Sequence, residues 1–127
     1  MALILDSHIL VWLLYEPDKL SAGCIDLLRT ETNRFVSVVS LWELAIKHKA
    51  GKLAYDPKDM LENLGRAGID QLSISNEHLL AYQTIKLAHK DPFDTLLAAQ
   101  AVCENATLLT ADKLLLDSHY KTLDARE

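Results

Sequence analysis

Four carboxylates in this chain, Asp6, Glu43, Asp94 and Asp112, stand where the ends of buried elements would gather them. Asp6 directly follows the apolar run Ala2-Leu3-Ile4-Leu5. Glu43 lies just after Phe35-Val36-Ser37-Val38, Asp112 just after Thr107–Thr110, and Asp94 at the head of a long apolar segment. Each also has a local explanation. Asp6 fits a helix N-cap, and Ser40-Leu41-Trp42-Glu43 fits a capping box, with Lys47 one turn on as a partner for Glu43. Asp91-Pro92-Phe93-Asp94 fits another cap, and Asp112 in a first turn favours the helix dipole. Capping does not explain why the helix around Asp94 is so apolar. Four carboxylates brought together repel, and a hard divalent cation resolves that repulsion. Oxygen-only donors, few and partly hydrated, suit Mg2+ or Mn2+ better than Zn2+. The hydroxyls of Ser7 and Thr110, beside Asp6 and Asp112, are placed to orient waters around such an ion. A cation so held activates water and stabilises the charge of a phosphodiester displacement. The pattern points to metal-assisted phosphoryl chemistry.

The elements that must position these groups are centred on His89–Ala101, which reads H-K-D-P-F-D-T-L-L-A-A-Q-A. Asp91 takes the N-cap place and Pro92 the first-turn place that suits a missing N–H. Gln100 is the only polar residue from Leu96 to Val102. A helix apolar all round belongs inside a domain, and Ala98, Ala99 and Ala101 let it sit close against a sheet. Strands are expected at 2–5, 35–38, 71–74, 107–109 and 120–123. Helices are expected from Asp6 or Ser7 to near Pro17, from Ser21 to about Thr30, and from Ser40 to Gly51. Others run from Asp56-Pro57 to Gly68, over Asn76–Leu87, over Asp91–Glu104 and over Ala111–Leu116. Strands alternating with helices imply crossover connections, hence a mostly parallel sheet with helices on both faces. In such sheets ligands bind beyond the carboxyl ends of the strands, where the four acids fall.

At 127 residues, half of them hydrophobic and 24% charged, the chain reads as one globular domain spanning residues 1–127. Cys24 and Cys103 lie far apart without metal-ligand spacing, which suits free thiols of a reducing compartment. No signal-like segment opens the chain and no apolar run is long enough to span a bilayer, so a cytoplasmic location is expected. A net charge of −5 disfavours nucleic acid held by the global field and suits a basic protein partner. No G-x-x-x-x-G-K, G-x-G-x-x-G or G-x-S-x-G occurs, and Asp6-Ser7-His8 lacks the second Asp of an aspartyl-phosphate hydrolase. The five histidines form no His-x-x-x-His pair; His89, two residues before Asp91, is the most suggestive of them as a ligand, but an isolated histidine more often serves a turn or packing. Lys47, Lys49 and Lys52 form the densest basic strip, either a solvated helix face or a contact for an RNA backbone.

Asp6-Ser7-His8-Ile9-Leu10-Val11-Trp12, Ser40–Lys47 with Gly51-Lys52-Leu53, His89–Asp94 with Ala98-Ala99-Gln100-Ala101, and Leu109-Thr110-Ala111-Asp112 together resemble PIN domains. More closely, they resemble the VapC-like toxins of type II toxin–antitoxin systems, with the motifs in that family's order. The resemblance implies an α/β/α sandwich with strand order 3-2-1-4-5 and a Mg2+- or Mn2+-dependent endoribonuclease acting on tRNA or ribosomal RNA. Its acidic set maps onto Asp6, Glu43, Asp94 and Asp112. It also implies a homodimer held inactive by a cognate VapB-like antitoxin, in a heterotetramer or larger assembly. A groove for that antitoxin is expected at Trp12, Leu13, Tyr15 and Leu28, where the first two helices carry more apolar surface than one sheet face needs. The family commonly has Arg where this chain has Thr95, which removes a contact for phosphate or carboxylate. Two other readings are a catalytically silent binding module and a metal-dependent DNA nuclease.

Overall fold

The first strand, β1 (Ala2–Leu5), is the middle of the sheet, and its composition explains why. Leu3, Ile4 and Leu5 are all fully buried, the continuous apolar run of a parallel strand covered on both faces. In the computed structural model, which describes residues 1–127, four more strands join it: β2 (Asn33–Ser37), β3 (Asp70–Leu72), β4 (Ala106–Thr110) and β5 (Thr122–Asp124). Their order is β3-β2-β1-β4-β5 and every pair is parallel, so the α/β/α sandwich with order 3-2-1-4-5 is the observed fold.

Side chains alternate across these strands and build two cores. Leu3, Leu5, Val36 and Leu109 face the larger one, with α1 (Ser7–Tyr15), α2 (Ala22–Thr30) and α4 (Pro57–Ala67). Ile4 and Leu108 face the smaller one, against Leu97 and Ala101 of α6 (Pro92–Cys103) and Leu115 of α7 (Lys113–Leu116). Helix α3 (Val38–Lys49) gives Leu44 to the first and Val39 to the second, and α5 (Asn76–Tyr82) packs on α6. Gly68, at φ 68, closes α4 with the left-handed turn that glycine adopts without strain. No helix is long and apolar enough to cross a membrane, and both cysteines are free.

The register makes the site. Leu5 lies level with Val36 on one side and Leu109 on the other. The residues that follow, Asp6, Ser37 and Thr110, therefore form a buried polar row at the carboxyl edge. By alternation they share the face of Ile4, the face that α6 covers.

Boundaries differ from the sequence reading in two places with clear causes. Helix α3 starts at Val38, not Ser40, because the Ser37 hydroxyl accepts from the Val39 N–H at 3.1 Å and takes the cap. Ser40 is thus inside the first turn, its hydroxyl buried without a partner, and no capping box joins it to Glu43. Helix α5 ends at Tyr82 rather than Leu87, because Gln83, Thr84 and Ile85 turn back onto the carbonyls of Leu80, Ala81 and Tyr82. The Thr84 hydroxyl also takes the Ala81 carbonyl at 2.9 Å, a side-chain bond that competes with helix continuation.

Candidate metal centre

Asp6 enters the carboxyl edge as the N-cap of α1. Its Oδ1 accepts from the Ser7 N–H at 2.6 Å and from the Ser7 hydroxyl at 3.3 Å, and its Oδ2 accepts from the Thr110 hydroxyl at 2.8 Å. Thr110 Oγ1 in turn accepts from the Asp112 N–H at 3.0 Å. One hydroxyl therefore ties the ends of β1 and β4 to the loop carrying Asp112. Both hydroxyls that the sequence marked for orienting waters are bonded to the Asp6 carboxylate itself.

Asp91 and Asp94 divide the labour at the head of α6. Asp91 Oδ1 accepts from the N–H groups of Phe93 at 2.8 Å and Asp94 at 3.3 Å, which starts the helix. Asp94, only 7% exposed, is left to face the sheet end, with Oδ2 2.8 Å from His89 Nε2. Asp112 caps α7 with Oδ1, accepting from Leu114 N–H at 2.8 Å and Leu115 N–H at 3.4 Å, and its other oxygen makes no such bond. One ligand atom each from His89, Asp94 and Asp112 lies within 4.8 Å of the others. Glu43 is turned along its own helix, with Oε2 3.1 Å from Lys47 Nζ, yet its charge still reaches Asp6.

Burial decides the electrostatics. It holds the Asp6 carboxyl above the usual range, with the Thr110 bond and the His8 and Ser7 neighbours pulling back and the Glu43 charge adding. Burial pushes Asp94 up to about 6, against the His89 hydrogen bond, and the charges of Asp6, Asp91 and Asp112 raise it further. His89 is itself raised, first by its bond to Asp94. Burial is the main reason these two carboxyls resist ionisation, the neighbouring acids add to it, and oxygen donors with one imidazole can hold a divalent cation there. The residues fit such an ion. A cleft of about 340 Å³ lined by Asp6, His8, Trp12, Ala111, Asp112 and Arg126 gives access. Arg126 is forked onto Asp124, with Nε and Nη2 each 3.1 Å from a carboxylate oxygen.

The remaining sequence candidates are scattered. Lys47 is taken up by Glu43, and Lys49, two residues on, points from another side of α3. Lys49 and Lys52 are exposed. Leu13 and Leu28 line a groove of about 350 Å³ with Leu14, Pro17 and Ile25. Trp12 instead edges the carboxylate cleft, with Lys19 Nζ 5.8 Å above its ring, while Tyr15 stacks on Tyr55 at 4.1 Å and donates to Asp59. The Thr95 hydroxyl turns back to the Asp91 carbonyl at 2.8 Å. His89, which the sequence offered as a ligand or as a turn and packing residue, meets Asp94, a contact the sequence did not show. It precedes the cap, so no helical spacing links it to Asp94, and only the path of the 89–91 turn brings them together.

The PIN domain family model matches residues 3–118 of the chain. No curated protein matches it by sequence. Among solved structures, VapBC2 from Rickettsia felis bound to a DNA fragment from their promoter superposes with a TM-score of 0.71 at 21% identity, over 97% of this chain and 98% of that one. DNA-bound VapBC from Salmonella typhimurium gives 0.73 at 16% identity over 98% of both chains. A toxin–antitoxin complex from Klebsiella pneumoniae gives 0.68 at 15%, again over 98% of both. At these identities the likeness is one of fold.

Proposed function

The chain belongs to the PIN domain family, and from that premise we propose that it is the nuclease toxin of a toxin–antitoxin pair, a Mg2+- or Mn2+-dependent endoribonuclease silenced by a VapB-like antitoxin. The observation that carries this reading is Asp94, a carboxyl buried at the end of a parallel sheet, raised to about 6, with Asp6 and Asp112 adding their charges. Asp6, Glu43 and Asp94 would hold the main ion, and Asp112 would bind it through water or help hold a second. When bound, the ion supplies a Lewis acid that activates water and stabilises charge on the phosphoryl oxygens. The chain's own residues prepare for it. Ser7 and Thr110 fix the Asp6 carboxylate, Asp91 sets the start of the helix that aims Asp94, and the exposed Lys49 and Lys52 are free to track an RNA backbone. The named complexes from Rickettsia felis, Salmonella typhimurium and Klebsiella pneumoniae support an antitoxin partner. The groove at Leu13 and Leu28 suits an amphipathic helix of such a partner.

Cleavage of structured RNA and of a matched DNA oligonucleotide, with Mg2+ or Mn2+ and then with excess chelator, tests this reading. RNA cleavage is expected with the ions, and Asp6→Asn or Asp94→Asn is expected to reduce it to background while circular dichroism shows the fold retained. Full activity in chelator, or cleavage of DNA alone, would sink it. The turned-back Thr95 hydroxyl is what favours a silent binding module instead. Calorimetric titration with Mn2+ separates the two, since a silent module should show no specific binding.

A further inference from the structure

Two histidines in this protein face a carboxylate, and they differ in one respect that decides what each can do. His78 is buried, with Nε2 3.0 Å from Glu104 Oε2. Its Nδ1 accepts the Ser75 N–H at 3.0 Å, so Nδ1 must be bare and the proton must sit on Nε2. That imidazole is locked as a hydrogen-bond donor and has no lone pair to offer at Nε2. His89 also presents Nε2 to a carboxylate, 2.8 Å from Asp94 Oδ2, but its Nδ1 is buried without any partner. Only the Asp94 bond favours the proton on Nε2, and no partner at Nδ1 locks it there. The proton can move to Nδ1 and leave the Nε2 lone pair free.

Geometry says what would use it. Adjacent ligands of a six-coordinate ion with bonds of about 2.1 Å lie about 3.0 Å apart. The 2.8 Å between His89 Nε2 and Asp94 Oδ2 is close to that edge, so an ion can replace the shared proton with little movement. An Asp112 oxygen completes a group in which all three ligand atoms lie within 4.8 Å of one another. We propose that His89 is a nitrogen ligand of the metal site, joining Asp94 and Asp112, and that it biases the site toward a transition-series divalent ion over Mg2+. Imidazole suits such ions, whereas an all-oxygen site suits Mg2+. The inference rests on the metal-dependent reading above and adds a ligand that the acidic set lacks.

Pulsed electron paramagnetic resonance of the Mn2+-loaded protein tests it without reference to activity. Imidazole nitrogen bound to Mn2+ gives nitrogen-14 modulation of the echo. That modulation is expected in the wild type, lost in His89→Gln and retained in His8→Gln, the control for the imidazole that lines the neighbouring cleft. Glutamine can still donate to Asp94, so the fold around α6 keeps its contact. Calorimetry is expected to show Mn2+ binding weakened on the order of tenfold in His89→Gln with Mg2+ binding unchanged. Mn2+ bound by the wild type without nitrogen modulation overturns the His89 ligand and leaves the carboxylate site standing. Modulation lost in His8→Gln instead assigns the nitrogen to His8 and also overturns it. No Mn2+ binding at all removes both readings.

Discussion

The charge on Asp94 works against the metal-free protein. Its carboxyl ionises at about 6 in the folded chain against 3.8 for an unperturbed aspartate, so the folded state holds that proton more tightly than the unfolded one. Stability therefore falls as pH rises from 3.8 to 6, by at most about 3 kcal/mol. His89 acts in the same direction. Raised by its bond to Asp94, it contributes stability that is present below its unfolded value of 6.5 and lost as pH climbs through the higher folded one. Thermal denaturation in chelator is thus expected to give a higher midpoint at about pH 5 than at about pH 8. Asp94→Asn should flatten that slope, and Mn2+ should raise the midpoint more at the higher pH than at the lower. The residue types explain which of these roles sequence could show. An Asp before Pro is a cap and an Asp one turn later on an apolar helix is not, so Asp91 and Asp94 separate on paper. His89 carries no such mark, because its partner is set by a turn rather than by a helical repeat.

Helix α6 is the part that aims Asp94, and its small residues set the aim. Ala98 and Ala99 are fully buried. Ala98→Leu is expected to cost roughly 1–3 kcal/mol through overpacking and to weaken Mn2+ binding by displacing Asp94, read by chemical denaturation and calorimetry. An equal loss of stability with unchanged Mn2+ affinity would show that α6 tolerates the shift without moving its head. The same helix shows what was readable in sequence. Its caps, Asp91 and Glu104, and its apolar body all follow from composition, as does the run of buried strand residues in β1. Ser37 and Ser40 were not separable in this way. Both are good caps three residues apart, and the choice is made by β2, which pairs with β3 through Ser37 and so ends where the first serine is free to cap. The length of α5 was hidden for a similar reason, since Thr84 bonds its own preceding turn.

One cluster of exposed apolar side chains surrounds Trp42. Trp42 is 63% exposed and Leu80 72%, and Ile74, Leu79 and Trp42 line one hollow of about 400 Å³ with Phe93 against the indole at 5.4 Å. A second hollow, with Leu41, Met60 and Leu61, lies on the other side of Trp42. A ridge between two hollows suits association with a second copy, and contiguous apolar patches on soluble proteins mark such sites. If two copies pair through this ridge, Trp42→Asp is expected to halve the mass seen in size exclusion with light scattering, leaving Mn2+ affinity as it was. An unchanged mass would show that the ridge does not join two copies. With a net charge of −5, neither the hollows nor the cleft gains from long-range attraction to a polyanion, so any binding of RNA there would rest on local cations and a metal ion.

The bond between Thr110 and Asp6 joins residues 104 positions apart. The central strand therefore leaves the ribosome well before β4, which it pairs with. Until β4 has left the exit tunnel, β1 has one neighbour instead of two, and Asp6 lacks the hydroxyl that orients it. Helices can form in the growing chain, but non-local parallel pairing waits for both strands. The carboxylate centre therefore assembles only once β4 has been synthesised. A stalled or prematurely released fragment that stops short of β4 carries Asp6, Glu43 and Asp94 but lacks the hydroxyl that fixes the first of them.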